Sequence, residues 1–299
     1  SFNLFLHREV KNQFSELPDL IRHADLVLGA SLVLGLQTVA ESLNIPYRFI
    51  AFAPQVLPSS EHPYPLVRRQ GLPPMLNRFS WDAVRVLDRF NFQRLINQRR
   101  REFGLQPTRN VWEDLIGDHV IVASDPILAN VPADVHRTYT QTGYLHLDQQ
   151  GEISAEVEAF LSDGPPPLYF GFGSMPRQDQ SALRPLLLEA AKSANQRVII
   201  SQLREDPNRL TGPADFCFAN NLPHHLLFQR TAAVIHHGGA GTTATAARAG
   251  VPQIIVPHIL DQFYWADRIH LLGLGPEPIW RSKLTGERLK AAILEVVHS

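Results

Sequence analysis

Residues 233–262 read AVIHHGGAGTTATAARAGVPQIIVPHILDQ, and this stretch predicts the fold of the second half of the chain. It opens with a short apolar run, typical of a buried strand, which ends at a glycine cluster. Small residues at positions 242–249 then predict a helix that a glycine and a proline end. A second apolar run, residues 253–256, predicts the next strand. The order strand, glycine loop, helix, strand predicts a βαβ unit.

The helix of this unit begins at the glycine cluster, and that position has a chemical consequence. Unpaired N–H groups and the positive end of the helix dipole make a helix start an anion site, above all for phosphate. Gly238, Gly239 and Gly241 lack the Cβ that would keep a phosphate away from the backbone. The loop therefore predicts a site for the diphosphate of a nucleotide-activated ligand.

Two other interpretations of the loop stay open. Residues 239–244 satisfy G-x-G-x-x-A, and Asp261 follows about twenty residues later, as a dinucleotide-binding fold requires. However, that acidic residue should end the second strand, and residues 257–260 intervene here. The glycines could also serve only close packing of helix on sheet. Because consecutive strand residues point to opposite faces, we expect only one of His236 and His237 to face a ligand.

The second half alternates strands and helices throughout. Strands are predicted at residues 168–172, 197–201, 216–218, 233–236 and 253–256, and helices at residues 181–193, 224–229, 242–249, 261–271 and 285–297. Such alternation predicts a parallel sheet covered on both faces, with ligands beyond the carboxyl ends of its strands. The polar motifs all follow strand ends, so we expect them to converge.

The first half predicts a similar but less regular α/β pattern. Strands are predicted at residues 24–29, 45–52, 119–123 and 140–145, and helices at residues 17–24, 34–43 and 79–103. Six prolines make residues 54–74 a loop rather than a buried element, either an acceptor pocket wall or a surface excursion. The segment 79–103 is apolar on more than one face and is expected to be largely buried. Its end, Arg99 to Arg101, suits a helix C-terminus and a solvated face.

Several motifs together resemble a known family. They are HHGGAGTT at 236–243, RAGVP at 248–252, DQ at 261–262, YFGFGSM at 169–175, LPHHLLF at 222–228, LGLGPEPI at 272–279 and TGYLHLD at 142–148. They resemble the donor-binding region of GT-B nucleotide-sugar glycosyltransferases, in particular the sterol glucosyltransferase branch of the UDP-glycosyltransferase family. The likeness is specific from about residue 142 onward and looser before it.

The resemblance implies a fold and a domain organisation. It implies two Rossmann-like, doubly wound α/β domains that face each other across a cleft. Residues 1–150 would form the acceptor-binding domain, with its first part missing, and residues 151–299 the donor-binding domain. The first strand of the acceptor domain, with the general base, has no counterpart in this sequence. The resemblance therefore assigns no catalytic residue here.

The resemblance also implies roles in donor binding. His237 would hydrogen-bond the diphosphate, and backbone N–H groups of the glycine loop would donate to it, with Ser174 opposite. The backbone of Leu222 would hold the base, while Asp261 and Gln262 would fix sugar hydroxyls. The donor-binding set is Ser174, Leu222, His237, Gly239, Ala240, Gly241, Thr242, Asp261 and Gln262. Three of these residues have a simpler alternative: His237 could be a core histidine, Ser174 a turn serine and Asp261 a helix N-cap.

The implied activity is transfer of a hexose, with glucose from UDP-glucose as the expected donor, by inversion to a hydroxyl of a lipophilic acceptor. Asn221 stands where plant-type relatives carry a tryptophan that stacks on uracil, so UDP and dTDP both stay open. No protein-bound cofactor and no metal are expected: there is no Asp-x-Asp pair, and the His-His pairs are not at metal-ligand spacing. The alternatives are an NAD-dependent oxidoreductase and a non-catalytic nucleotide-sugar binding module.

Composition limits the partners and the setting. The chain has 28 basic and 29 acidic residues, which gives no electrostatic case for a nucleic-acid or acidic-membrane partner. The single cysteine, Cys217, lies in an apolar run and is expected to be buried, which favours a reducing cytoplasm. No apolar run reaches the length of a membrane span. A peripheral, transient contact with a membrane surface stays open.

Overall fold

The computed structural model describes residues 2–30, 33–90, 92–147, 151–173, 177–201, 215–219 and 222–298. It divides into two compact units, Ser1–Leu145 and His146–Ser299. Each unit contains one parallel β-sheet together with helices, so both are α/β structures. This confirms the predicted fold class.

The first unit is built on a four-stranded sheet. Its strands are β1 (Val27–Gly29), β2 (Tyr47–Ala51), β3 (His119–Val122) and β4 (Thr138–Gln141). Its helices are α1 (Phe2–Ile21), α2 (Leu36–Ser42), α3 (Pro74–Phe90), α4 (Gln93–Glu102) and α5 (Val111–Ile116). The strands run parallel in the spatial order β1-β2-β3-β4. Phe49 and Val120 of this sheet are fully buried and pack in one cluster with Leu115 and Ile116 of α5.

The second unit is built on a five-stranded parallel sheet. Its strands are β5 (Leu168–Gly171), β6 (Val198–Ser201), β7 (Phe216–Ala219), β8 (Ala233–His236) and β9 (Gln253–Ile255). Its helices are α6 (Ala155–Ser162), α7 (Arg177–Ser193), α8 (His224–Leu227), α9 (Ala240–Arg248), α10 (Gln262–Leu271) and α11 (Gly286–Val297). The spatial order is β7-β6-β5-β8-β9, so the chain reverses its direction across the sheet between β5 and β8. Ligands of doubly wound sheets bind at such a reversal.

The sheet of the second unit is buried on both faces, as its uninterrupted apolar strands predict. Leu168 and Phe170 pack in one cluster with Leu187 of α7 and Ile293 of α11. Tyr169, which lies between them on β5, points to the opposite cluster with α6, α8 and α9. The period of two along the strand therefore assigns successive side chains to different helical layers.

The proline-rich segment after β2 corrects one prediction. We expected residues 54–74 to be a loop and not a buried element, yet Gln55, Leu57 and His62 are buried. Some of the buried polar groups have partners within the unit: Gln55 Nε2 donates to the Pro63 carbonyl at 3.3 Å. The Ser59 hydroxyl donates to an Asp134 carboxylate oxygen at 2.6 Å. Prolines reduce the number of N–H groups that need partners, so a loop of this composition can fold inward.

The segment 79–103 corrects a second prediction. It forms two helices, α3 and α4, and α3 exposes large apolar side chains such as Phe79 and Leu87 instead of burying them. The basic run ends α4 as predicted, but Arg100 is not solvated. Its guanidinium is buried and contacts both carboxylate oxygens of Glu41, at 2.8 and 3.0 Å. Apolar periodicity identified the helix here, whereas long-range contacts set its orientation.

The remaining differences concern boundaries and missed helices. α1 extends over twenty residues although we expected a helix only from Leu17, and β4 begins two residues earlier than expected. Helices α5 and α6 were not predicted; Asn110 and Ser154 cap their N-termini with side-chain oxygens. Cys217 is buried as predicted.

Candidate functional site

The carboxyl ends of three neighbouring strands of the second unit lie side by side. In the parallel register, Gly171 of β5 pairs with His236 of β8, and His236 pairs with Ile255 of β9. His237 and the loop that follows β9 therefore begin at the same edge of the sheet, at the reversal between β5 and β8. A nucleotide-binding site is expected at this edge.

The N-terminus of α9 at this edge has no side-chain cap. The helix begins at Ala240, two residues earlier than predicted, and Gly239 occupies the N-cap position in an extended conformation. In the same unit, Ser154 and Thr285 cap α6 and α11 with their hydroxyls. The first intrahelical N–H to find a carbonyl belongs to Thr243, which donates to Gly239 at 3.0 Å. The N–H groups before it point out of a half-buried helix start, which is the arrangement that binds anions.

A chain of buried hydrogen bonds holds the glycine loop in place. The Gly238 N–H donates to His236 Nδ1 at 3.1 Å, so the proton of this buried imidazole lies on Nε2. Nε2 in turn donates to Gln253 Oε1 at 3.0 Å, and Gln253 Nε2 donates to the Thr243 carbonyl at 3.3 Å. Burial, together with the neighbouring His237, lowers the pKa of His236 to about 3, so the ring is neutral. His236 is thus structural, and the chain joins loop, β9 and α9.

Replacing Gln253 with leucine is expected to lower the free energy of unfolding by about 1–3 kcal/mol, because His236 Nε2 would lose its buried acceptor. The measurement is denaturant unfolding of both proteins. Gln229→Leu is the matched control, since Gln229 also donates to a backbone carbonyl but is exposed. Equal stability of the two variants would show that the buried chain does not stabilise the loop.

His237 directly follows β8, and its side chain is only half-buried. The rings of His236 and His237 are nearly perpendicular, at 82°. That only one of the two histidines faces a ligand stays a prediction. Burial and the nearby His258 lower the pKa of His237 to about 4, against an opposing effect of the Gly171 carbonyl. A Cβ at Gly239 would lie 2.6 Å from His237 Nε2, and one at Gly173 would lie 3.1 Å from Cε1. Glycines on both sides therefore leave room for this imidazole.

The loop between β9 and α10 supplies the second group of polar side chains. Gln262 Oε1 accepts from the backbone N–H groups of His258 and Ile259, at 2.8 and 3.1 Å, which fixes the loop. Leu260 has a φ of +53°, a left-handed conformation that is uncommon for a leucine. Asp261 is the N-cap residue of α10, but its side chain makes no capping hydrogen bond. The Asp261 carboxyl therefore lies at the start of α10 without capping the N–H groups of that helix.

The pKa of the Asp261 carboxyl lies closer to neutral pH than that of an ordinary aspartate. Burial raises its pKa to about 6, while its own backbone N–H and the Trp265 indole act in the opposite direction. The dinucleotide interpretation required this acid at the end of the second strand. Instead β9 ends at Ile255, and Asp261 lies at the start of α10. The geometry therefore disfavours that interpretation.

The LPHH motif lies beyond β7, at the far side of the sheet. Leu222 is half-buried against the cluster of α6, α8 and α9, and α8 begins two residues later. His224 Nε2 pairs with the Tyr169 hydroxyl at 2.7 Å, and its ring stacks on Phe228. These contacts fix the turn that carries the Leu222 backbone. Ser174 and Asn221 lie outside the described residues.

Sequence reasoning missed two residues at this edge, Gln253 and His258. Gln253 is a polar residue at the first position of an apolar strand, which is a signal for a buried hydrogen bond. His258 stacks edge-on against Phe172, with ring centroids 5.9 Å apart, and its Nδ1 lies 2.7 Å from the Val256 carbonyl. Within the described residues no cluster of three potential metal ligands occurs.

Comparisons with known proteins identify the family of the chain. A family described as erythromycin biosynthesis protein CIII-like, C-terminal domain, matches residues 185–299. The chain is 36% identical over 277 residues to vancomycin aglycone glucosyltransferase of Amycolatopsis orientalis, covering 91% of this chain and 67% of that protein. It is 37% identical to glycosyltransferase GtfE of the same organism, covering 93% and 70%. It is 34% identical to sterol 3-beta-glucosyltransferase UGT80A2 of Arabidopsis thaliana, covering 90% and 43%.

Solved structures support the fold. The glycotransferase of kitacinnamycin has a TM-score of 0.70 at 15% identity, covering 98% of this chain and 74% of that one. Glycosyltransferase VinC in complex with dTDP has a TM-score of 0.67 at 19% identity, covering 95% and 67%. At these identities the likeness concerns the arrangement of helices and strands.

Proposed function

The chain belongs to the family of GT-B nucleotide-sugar glycosyltransferases that includes vancomycin aglycone glucosyltransferase, and from this premise we propose its reaction. It transfers a hexose, glucose from UDP-glucose, with inversion to a hydroxyl of a lipophilic acceptor. Two relatives, vancomycin aglycone glucosyltransferase and a sterol 3-beta-glucosyltransferase, support this donor sugar and acceptor class by their names. The observation that carries the proposal is the uncapped start of α9 beside the half-buried imidazole of His237.

These two groups would act on the leaving group. As the bond between the sugar C1 and the diphosphate oxygen breaks, negative charge grows on the diphosphate, and donors already in place stabilise it. A partly buried helix terminus contributes up to about 2 kcal/mol, and one preorganised donor about 3–4 kcal/mol. Together they support transfer without a metal ion. The acceptor oxygen forms the new bond to C1, and its proton goes to a general base, to which we assign no residue.

The sheet order suggests how the donor lies. The diphosphate would occupy the start of α9, and the nucleoside would cross the ends of β5 and β6 toward Leu222 beyond β7. Strands are about 4.8 Å apart, so β8 and β7 are separated by roughly 14 Å, which suits an extended nucleoside diphosphate. Asp261 and Gln262 would hold sugar hydroxyls on the other side, where β9 ends. Gln262 Oε1 already binds the loop, so its Nε2 is the group proposed for the sugar.

A ligand screen by thermal unfolding tests the proposal, with UDP, dTDP and NADH each at saturating concentration. UDP should stabilise the protein, by about 2.7 kcal/mol at a hundredfold excess over Kd. Gly239→Ala should keep the fold, because the backbone φ of −66° suits alanine, but its Cβ displaces His237 Nε2. We expect at least about a tenfold loss of UDP affinity in this variant. Gly286→Ala is the control, since no atom lies within 4 Å of its Cβ.

The other outcomes decide between the alternatives. Stabilisation by NADH and not by UDP would replace the proposal with an oxidoreductase. UDP binding without transfer to any acceptor, in a protein that carries all its natural segments, would indicate a binding module. Stronger stabilisation by dTDP would keep the site and change the base. The proposed setting is the cytoplasm, which the lone buried Cys217 supports.

A further inference from the structure

Helix α3 in the first unit exposes large apolar side chains, whereas hydrogen-bonding groups on its other face contact the proline-rich loop. Asn77 Nδ2 donates to the Ser60 carbonyl at 2.9 Å, and the Ser80 hydroxyl accepts from the Tyr64 N–H at 2.9 Å. Trp81 Nε1 donates to the His62 carbonyl at 3.3 Å. These three contacts tie one face of the helix to the buried proline-rich loop. The orientation of α3 is therefore fixed by specific hydrogen bonds.

The opposite face of α3 is apolar and exposed. Met75 is 81% exposed and Phe79 66%, and Leu76, Val86 and Leu87 are each about half exposed or more. At 100° per residue these five side chains fall within an arc of about 120°, so they form one continuous stripe, here called the α3 face. A helix of this length is about 25 Å long. Water-exposed apolar stripes of this kind mark interaction sites.

Arginines border the α3 face. Arg78, Arg85 and Arg89 project from one flank of the stripe, and Arg68 and Arg69 precede the helix. Residues 66–90 contain these five arginines against two aspartates, whereas the whole chain has a net charge of −1. The balanced composition thus conceals a local basic segment.

Existing ion pairs do not neutralise this flank. Arg78 lies 3.7 Å from an Asp134 oxygen, and Arg85 lies 3.3 Å from Asp82 on the same helix. Both guanidinium groups are largely solvent-exposed, and exposed pairs of this kind contribute little. The arginines therefore keep their capacity to bind an external anionic surface.

We propose that the α3 face docks on an anionic phospholipid surface, with its apolar stripe in the interfacial region and its arginine flank on lipid phosphates. An apolar stripe bordered by basic residues is the composition of helices that lie in a membrane interface. Within the described residues no helix is long and apolar enough to cross a bilayer, so the contact is peripheral. A second copy on this face would bring two arginine flanks to one interface, whereas phospholipid headgroups neutralise them. The surface lies in the first unit, whereas the proposed donor site lies in the second.

Vesicle flotation tests this surface with the full protein. Vesicles of phosphatidylcholine with about 30% phosphatidylglycerol should carry the protein upward, and pure phosphatidylcholine vesicles should carry much less. The double variant Phe79→Glu with Val86→Glu should lower the partition coefficient at least about tenfold, since it places two charges in the stripe. Replacing Arg78, Arg85 and Arg89 with glutamine should remove the preference for anionic vesicles and its salt dependence.

Ile127→Glu is the matched control, because Ile127 is 81% exposed but lies outside the α3 face. It should bind vesicles like the unchanged protein, and all variants should keep their unfolding temperature and their UDP response. Equal flotation of the double variant and the control would overturn the proposal. So would a dimer, seen by sedimentation velocity, that Phe79→Glu with Val86→Glu dissociates, since the face would then bind a second copy.

Discussion

Replacing His237 with alanine is expected to lower kcat for sugar transfer by about 10²–10³-fold. Burial and His258 lower the pKa of this imidazole to about 4, so the ring is neutral at pH 7. A bound diphosphate stabilises the protonated ring, and its growing charge during bond breaking strengthens the contact further. The interaction is thus stronger in the transition state than in the bound donor. Steady-state kinetics should show a larger effect on kcat than on the donor KM.

Two further variants make the His237 result interpretable. His237→Gln retains a neutral hydrogen-bond donor at the site and should recover about tenfold of the lost kcat. His270→Ala removes an exposed histidine from the last turn of α10 and should leave kcat unchanged. A kcat for His237→Ala within about threefold of the unchanged protein would remove this residue from the reaction and weaken the diphosphate assignment.

The fold of the second half of the chain was predictable because its strands and helices form where the local sequence pattern predicts them. The strand at Ala233–His236 was predicted to the residue, and the other four strands within one or two residues. Short apolar runs separated by small-residue or amphipathic helices admit few topologies. Glycines at the helix start also identified the edge of the sheet where polar side chains gather. Here a single stretch of sequence contained both the fold signal and the chemical signal.

The rest depended on long-range partners that no local pattern reports. The buried role of His236 follows from Gln253, seventeen positions away, and the burial of Gln55 follows from the way the loop folds back on itself. In α3, apolar residues on more than one face predicted a largely buried helix, yet Phe79 is exposed. Asn77 and Trp81 bind the loop, and their contacts set the orientation of the helix. A hydrophobic stripe identifies a helix; the contacts of its opposite face determine which side is buried.

Asp261→Asn is expected to lower kcat/KM for the donor about 10²-fold at pH 7.5 and to remove the acidic limb of the pH profile. Burial raises the pKa of this carboxyl to about 6, so its ionised form gains population as the pH rises through that value. An ionised carboxylate accepts two sugar hydroxyls better than its protonated form does. The donor kcat/KM of the unchanged protein should therefore rise between about pH 5 and pH 7 and then level off.

The same group predicts an opposite trend for stability. Its pKa in the folded state lies above its value in the unfolded chain, so protonation favours folding, and this contribution is lost as the pH rises from about 4 to about 6. The Asp261→Asn variant should not show this loss. Above about pH 6 its free energy of unfolding should therefore exceed that of the unchanged protein, although its activity is lower.

Asp88→Asn provides the matched control for both measurements. Burial also raises the pKa of Asp88 to about 6, but this residue lies on α3 in the first unit. It titrates in the same range, so its variant should change the pH dependence of stability and leave the kcat/KM profile intact. If Asp88→Asn removed the acidic limb and Asp261→Asn preserved it, the sugar-binding role of Asp261 would be wrong. A limb that both variants preserve would assign it to another group, because neither carboxyl would then control donor binding.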